Sequence, residues 1–180
     1  MMNPMKKLLL LLMLSVITQG YAQINWMSFE DALAAQSENP KKIIVDVYTN
    51  WCGPCKLLDR NTFQNEQVAA FINENYYAVK FNAEGSKEIN YRGQAFTNPN
   101  FDPNRKGRNS QHEFAAAMNI RGYPSIVFFD EDTNFIQPVV GYKTPRQLEI
   151  YLKMISNDDY KELTTAEKWQ EYQENFEYSF

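Results

Sequence analysis

The chain has 180 residues, 44% of them hydrophobic and 14% aromatic, with 18 Lys and Arg against 22 Asp and Glu for a net charge of −4. That size and apolar content suit one domain with a packed core and modest additions. The acidic balance, with no basic stripe interleaved with aromatics, argues against nucleic-acid binding, and no nucleic-acid partner is expected.

In chain order, Lys6 and Lys7 precede an apolar run from Leu8 to Ile17 broken only by Ser15, and Gly20-Tyr21-Ala22 offers small residues at −3 and −1 of a cleavage site. Residues 1–22 therefore read as a signal peptide. The apolar run falls short of the ~20 residues that span a bilayer, so cleavage is favoured over an uncleaved anchor. No stable membrane insertion is expected afterwards. Removing Lys6 and Lys7 with the leader takes the net charge from −4 to −6. The mature chain is expected to be exported, to a periplasm or outside the cell.

Ser28 with Asp31 three residues later starts a helix carrying Phe29, Ala32 and Leu33 on one face, and Asn39-Pro40 stops it. Ile43 to Tyr48 is a β-branched run interrupted by Asp46, the pattern of a buried central strand. Residues 49–55 turn into a helix with an irregularity near Asn61, continued by Val68, Phe71 and Ile72, and Tyr76 to Phe81 is a second strand. Residues 84–110 hold Gly85, Gly93, Gly107, Pro99 and Pro103 with little periodicity and read as a long surface excursion. A helix is expected from Gln111 to Asn119, strands from Ser125 to Phe129 and up to Val139-Val140, and a helix from Thr144-Pro145. A last amphipathic pattern runs through Leu163, Ala166, Trp169, Tyr172 and Phe176, capped by Thr164 and Glu167. The first half implies a parallel strand pair and the second an antiparallel hairpin.

The two cysteines, Cys52 and Cys55, are separated by two residues. A bridge that short is a poor staple, because loop length sets most of the entropic gain, but it makes a good reactive pair. A Cys-x-x-Cys could also be half a zinc site, which needs about four ligands. The chain offers only His112 besides, read here as a surface residue, so no metal or other cofactor is expected. Cys52 falls where a strand ends and a helix begins, facing unpaired N–H groups and the positive helix end. Its thiol pKa should drop, making it the attacking sulfur. Cys55, one turn in, is expected to be more buried and protonated until it resolves the mixed disulfide. Pro54 is tolerated at an early helical position.

Trp51-Cys52-Gly53-Pro54-Cys55-Lys56 resembles the thioredoxin active-site motif residue for residue. Asp46 falls at the position of that family's buried aspartate and Lys80 at that of its neighbouring lysine. Arg121-Gly122-Tyr123-Pro124-Ser125 looks like the segment with the family's cis-proline, and Gly141 matches the glycine of its last strand. The resemblance runs from Trp26 to Ile155, broken by residues 84–110, and looks closer to exported bacterial thioredoxin-like proteins than to cytosolic thioredoxin.

The resemblance implies an α/β thioredoxin-like fold, a mixed central β-sheet flanked by helices on both faces. An insertion (84–110) precedes the third helix, and residues 156–180 form a C-terminal helical extension to a domain spanning 23–155. It implies a redox-active disulfide between Cys52 and Cys55. Asp46 would accept the Cys55 proton through a raised pKa moderated by Lys80; the alternative is a hydrogen-bonded core carboxylate. Pro124 would be cis and lie against the cysteines, leaving the Tyr123 backbone free to pair with an extended substrate; alternatively it is a plain turn proline. Trp51, Gly53 and Pro54 would form the substrate-contacting rim, with Tyr123 in place of the family's smaller residue.

The implied activity is protein-disulfide reduction outside the cytosol by a monomer. Protein thiols and disulfides would be the substrates, and a membrane thiol-transfer protein of the DsbD type would donate electrons. A disulfide oxidant or isomerase, or a client-binding module without turnover, are the alternatives. Arg92, Arg105, Lys106 and Arg108, with Phe96 and Phe101, make the insertion either a partner-docking loop or a self-packed excursion. The tail helix either packs on the domain or meets a partner.

Overall fold

The computed structural model describes residues 23–180; the expected leader, residues 1–22, lies outside them. In chain order come β1 (Trp26–Met27), α1 (Phe29–Glu38), β2 (Lys42–Tyr48), α2 (Gly53–Leu58), a π-helical turn (Asp59–Phe63), α3 (Glu66–Asn75) and β3 (Tyr76–Asn82). The insertion holds a small hairpin, β4 (Ile89–Tyr91) and β5 (Gln94–Phe96). Then follow α4 (Glu113–Ala117), β6 (Ser125–Phe129), β7 (Phe135–Val140), α5 (Pro145–Ser156) and α6 (Ala166–Asn175).

The main sheet has five strands in the order β1-β3-β2-β6-β7. β2 pairs parallel with β3 and antiparallel with β6, and β6 pairs antiparallel with β7. β2 is central and buried from Lys42 to Val47, which is why its sequence is a nearly unbroken apolar run rather than an alternation. Its side chains divide between two cores. Ile44 joins Leu58, Ile72, Phe128 and Leu152 under α2, α3 and α5. Ile43, Val45 and Val47 join Phe29, Phe114 and Phe129 under α1 and α4. Because successive strand side chains alternate between faces, Asp46 lies on the same side as Ile44. This placement brings an acid beneath α2.

The helix starts follow local chemistry. Ser28 Oγ accepts from the Asp31 N–H at 3.1 Å, and Thr144 with Gln147 forms a reciprocal capping box. The irregularity expected near Asn61 is the π-helical turn. Three expectations are corrected. The last helix begins one residue later than expected, capped by Thr165 and not Thr164, because Thr165 Oγ1 accepts the Lys168 N–H while the Thr164 N–H is bonded to Glu162. The insertion is not free of periodic structure: its hairpin sends Ile89 and Phe96 into the core around Phe114. His112 is no surface residue. It is 0% exposed, with Nδ1 accepting from the Phe114 N–H at 3.0 Å and Nε2 2.9 Å from the Lys87 carbonyl. A neutral ring protonated on Nε2 satisfies both bonds, so it ties the insertion to the start of α4.

The tail helix packs on the domain. Trp169 meets Tyr151 of α5 at 5.7 Å between ring centroids, and Leu163 and Tyr172 also lie against the core. Among the described residues no helix is long and apolar enough to cross a membrane.

Candidate redox site

Cys52 is the N-cap of α2, in extended conformation at the end of the β2 turn, and Pro54 stands in the first turn. Cys52 and Cys55 are joined in a disulfide with their Cα atoms 5.3 Å apart. The Cys55 N–H donates to Cys52 Sγ at 3.1 Å, using one of the amides that a helix start leaves without an intrahelical partner. The expected contrast in burial is absent, with Cys52 1% and Cys55 4% exposed. Gly53 and Pro54 are exposed between them.

Behind the pair lies a charged cluster. The parallel register sets Asp46 opposite Lys80, and Lys80 Nζ stands 3.3 Å from Asp46 Oδ2. Lys80 also bonds Asp59, which the π-helical turn brings in from the other side. Asp46 is 2% exposed and its Oδ1 has no hydrogen-bond partner among the described residues. Burial pushes its carboxyl up to about 7, with the Lys80 ammonium pulling down and the Asp59 carboxylate pushing up. Burial alone would lower the Lys80 ammonium, but Asp46 and Asp59 together carry it above its usual value. Lys80 and Asp59 line an open cavity of about 580 Å³ with Gln23, Trp26 and Gln64, so this end of the cluster meets solvent. Asp59 was missed in the sequence. Its position one turn past Cys55 was the only signal, and that signal needs the helix to be placed over β3.

Around the disulfide, Tyr123 precedes a cis bond to Pro124. The Pro124 carbonyl accepts from the Gly141 N–H at 2.8 Å, and Gly141 takes a φ of 87° that favours glycine. Tyr123 meets Trp51 edge-on at 6.0 Å. Trp51 is 36% exposed. Its Nε1 donates to Glu84 Oε2 at 2.8 Å, and the Arg108 guanidinium lies over its ring 4.3 Å from the centroid. Glu84 Oε2 also accepts from the Asn109 N–H at 2.8 Å. The structure thus brings Cys52, Cys55, Trp51, Tyr123 and Pro124 to one end of the sheet, with Asp46 and Lys80 on the core side. The insertion closes over the edge of Trp51.

Residues 29–156 match the family model described as a thioredoxin-like domain. The chain belongs to the thioredoxin-like family. This thioredoxin-like chain is 28% identical over 113 residues to a thioredoxin of Mycoplasmoides gallisepticum, covering 63% of the chain and 83% of that protein. It is 29% identical over 106 residues to a thiol:disulfide interchange protein DsbD of Pseudoalteromonas atlantica, covering 59% of the chain but 14% of that protein. It spans between 14% and 39% of the length of three of the curated relatives it matches. Its fold is that of a thioredoxin-fold protein from Helicobacter pylori, with a TM-score of 0.58 at 20% identity over 75% of this chain and 81% of that one.

Proposed function

We propose that the chain is an exported, monomeric thiol–disulfide oxidoreductase that reduces protein disulfides outside the cytoplasm. The observation that carries this reading is the Cys55 N–H aimed at Cys52 Sγ from the start of α2. In the reduced state the same amide meets a Cys52 thiolate, and a hydrogen bond to the charged form favours it.

The Cys52 thiolate attacks one sulfur of a client disulfide. A Cys52–client bond forms, the client S–S bond breaks, and the first client thiolate leaves to take a proton from water. The Asp46 carboxylate, paired with Lys80, accepts the Cys55 proton and becomes the neutral acid. The Cys55 thiolate then attacks Cys52 Sγ, forming the intramolecular disulfide and expelling the second client thiolate. The client gains two electrons, and a dithiol donor of the DsbD type restores the reduced pair. Trp51, Gly53 and Pro54 border the attack, and the Tyr123 backbone beside Pro124 pairs with an extended client. The basic, apolar start of the sequence followed by Gly20-Tyr21-Ala22 supports export with cleavage after Ala22.

The test is insulin reduction with a small dithiol as donor. Activity should vanish in Cys52→Ser, while Cys55→Ser should accumulate mixed disulfides with clients. A Cys52→Ser protein as active as the parent sinks the reading. The reduction potential decides the direction of electron flow: a value near that of thioredoxin, about −270 mV, supports a reductant, and one near −120 mV an oxidant.

A further inference from the structure

The active-site end of the molecule is basic although the chain carries a net charge of −4. Lys56 is exposed on α2 directly after Cys55, and Arg105 and Lys106 are exposed on the insertion. Arg105 lines a cavity of about 360 Å³ with Asn50 and Glu84, next to the active-site turn. Arg108 lies over Trp51. Arg121 is exposed three residues before Pro124. Lys143 Nζ reaches the Val140 carbonyl at 2.7 Å, beside the Gly141 that bonds Pro124.

Like Lys41, Arg60, Arg92, Arg146 and Lys168, these six cations make no ion pair among the described residues. The acids beside them, Glu84 and Asp102, are engaged by the insertion and Trp51. Glu84 Oε2 accepts from Trp51 Nε1 and the Asn109 N–H, and Asp102 Oδ1 accepts from the Asn104 N–H at 2.9 Å. Two of the exposed large apolar side chains lie beside members of this group: Trp51, 36% exposed, under Arg108, and Val140, 52% exposed, whose carbonyl Lys143 bonds. Val140 pairs with Ser125, the residue after Pro124. A single exposed cation is solvated and contributes little. Several together produce a positive field at the point of attack, which raises the encounter rate with acidic partners.

We propose that this face docks an extended polypeptide whose disulfide cysteine is flanked by Asp and Glu. The proposal rests on the reductase reading and names the client class of the same site. Trp51 and Val140 contact the residues beside the client cysteine, while Arg105, Lys106 and Arg108 of the insertion and Lys56, Arg121 and Lys143 of the domain meet the flanking carboxylates. Thiol exchange proceeds as above, with electrons from the reduced Cys52–Cys55 pair and protons from water.

The test uses the reduced full chain and three disulfide-linked peptides that differ only in flanking residues: Glu, Gln or Lys. At about 20 mM salt the Glu peptide should be reduced at least ten times faster than the Lys peptide. The ratio should fall toward one at 0.5 M salt, where the Debye length shrinks to roughly 4 Å. The double variant Arg105→Glu, Lys106→Glu on the insertion and the single variant Lys56→Glu on α2 should each cut the ratio at least threefold. A wild-type ratio within twofold at low salt, or one that neither variant moves, overturns the docking proposal and leaves the reductase reading standing. Reduction of none of the three peptides removes the reductase reading, and the docking proposal falls with it.

Discussion

Lys80 Nζ stands 3.3 Å from Asp46 Oδ2 and bonds Asp59 as well, so one ammonium serves a buried and a half-exposed carboxylate. The buried member bears most of the consequence. Its proton comes off near neutrality, and Asp59 helps keep it there.

Stability should show this directly. Asp46 rises from 3.8 to about 7 on folding, so its contribution is fully present below the lower value and is lost as pH rises through the higher one. Asp46→Asn removes that loss. At pH 9 the variant should be more stable than the parent by roughly 4–5 kcal/mol, at about 1.4 kcal/mol per pKa unit, and the gap should close toward pH 4. Urea unfolding at a series of pH values measures it. A gap that stays constant across that range contradicts the raised carboxyl.

Catalysis should follow the same group. Where Asp46 accepts the Cys55 proton, resolution of the mixed disulfide speeds up as pH passes through about 7. Asp46→Asn should slow it by about 10²-fold, the usual size of a general-base contribution. Asp59→Asn removes a charge that pushes Asp46 up and should shift the inflection to lower pH; Lys80→Met should shift it higher. Single-turnover kinetics against pH reads both shifts, and an inflection that neither variant moves removes Asp46 from the proton path.

His112 makes a stability prediction of its own. Its buried ring pairs the Phe114 N–H and the Lys87 carbonyl. His112→Leu keeps the bulk but leaves both groups unpaired, at about 1–3 kcal/mol each. A total loss of roughly 2–6 kcal/mol is expected in urea unfolding, with faster amide exchange around Lys87. A change under 0.5 kcal/mol means the ring is not seated there.

The last residues are held by Glu149, which is 0% exposed. Its carboxylate accepts from the Ser179 N–H at 2.6 Å, the Phe180 N–H at 2.9 Å and Lys153 Nζ at 2.6 Å. Burial pushes this carboxyl up, but those donors outweigh it and hold it below its usual value. The stabilisation is therefore present above the ordinary carboxyl pKa and lost as pH falls through the depressed one. Glu149→Ala, or sufficient acid, should release residues 176–180 and speed their amide exchange. Unchanged exchange in Glu149→Ala removes the carboxylate from that role.

Much of the site was legible because its signals are short-range. The Trp51–Lys56 motif, the strand ending before it, and the Thr144 capping box each depend on residues within a few positions. Asp46 stood out as an acid in an otherwise apolar strand, and the resemblance put Lys80 beside it. The relative burial of Cys52 and Cys55 was not legible, because segments distant in the chain decide what covers each sulfur and the spacing of the two cysteines does not encode that. Nor was the interior position of His112: one histidine in a polar stretch carries no periodicity, and only the closing of the insertion onto Phe81 and Phe114 covers it.

The sequence alone determined the strand-to-helix turn carrying two cysteines, the central apolar strand and the helix starts, because hydrogen bonds and side-chain periodicity across three or four residues specify them. Tertiary structure decided which distant charges meet. Asp59 reaches Lys80 across a π-helical turn, and Arg108 reaches Trp51 from the far end of the insertion. Such contacts depend on how helices and loops pack over the sheet, and spacing along the chain does not encode that.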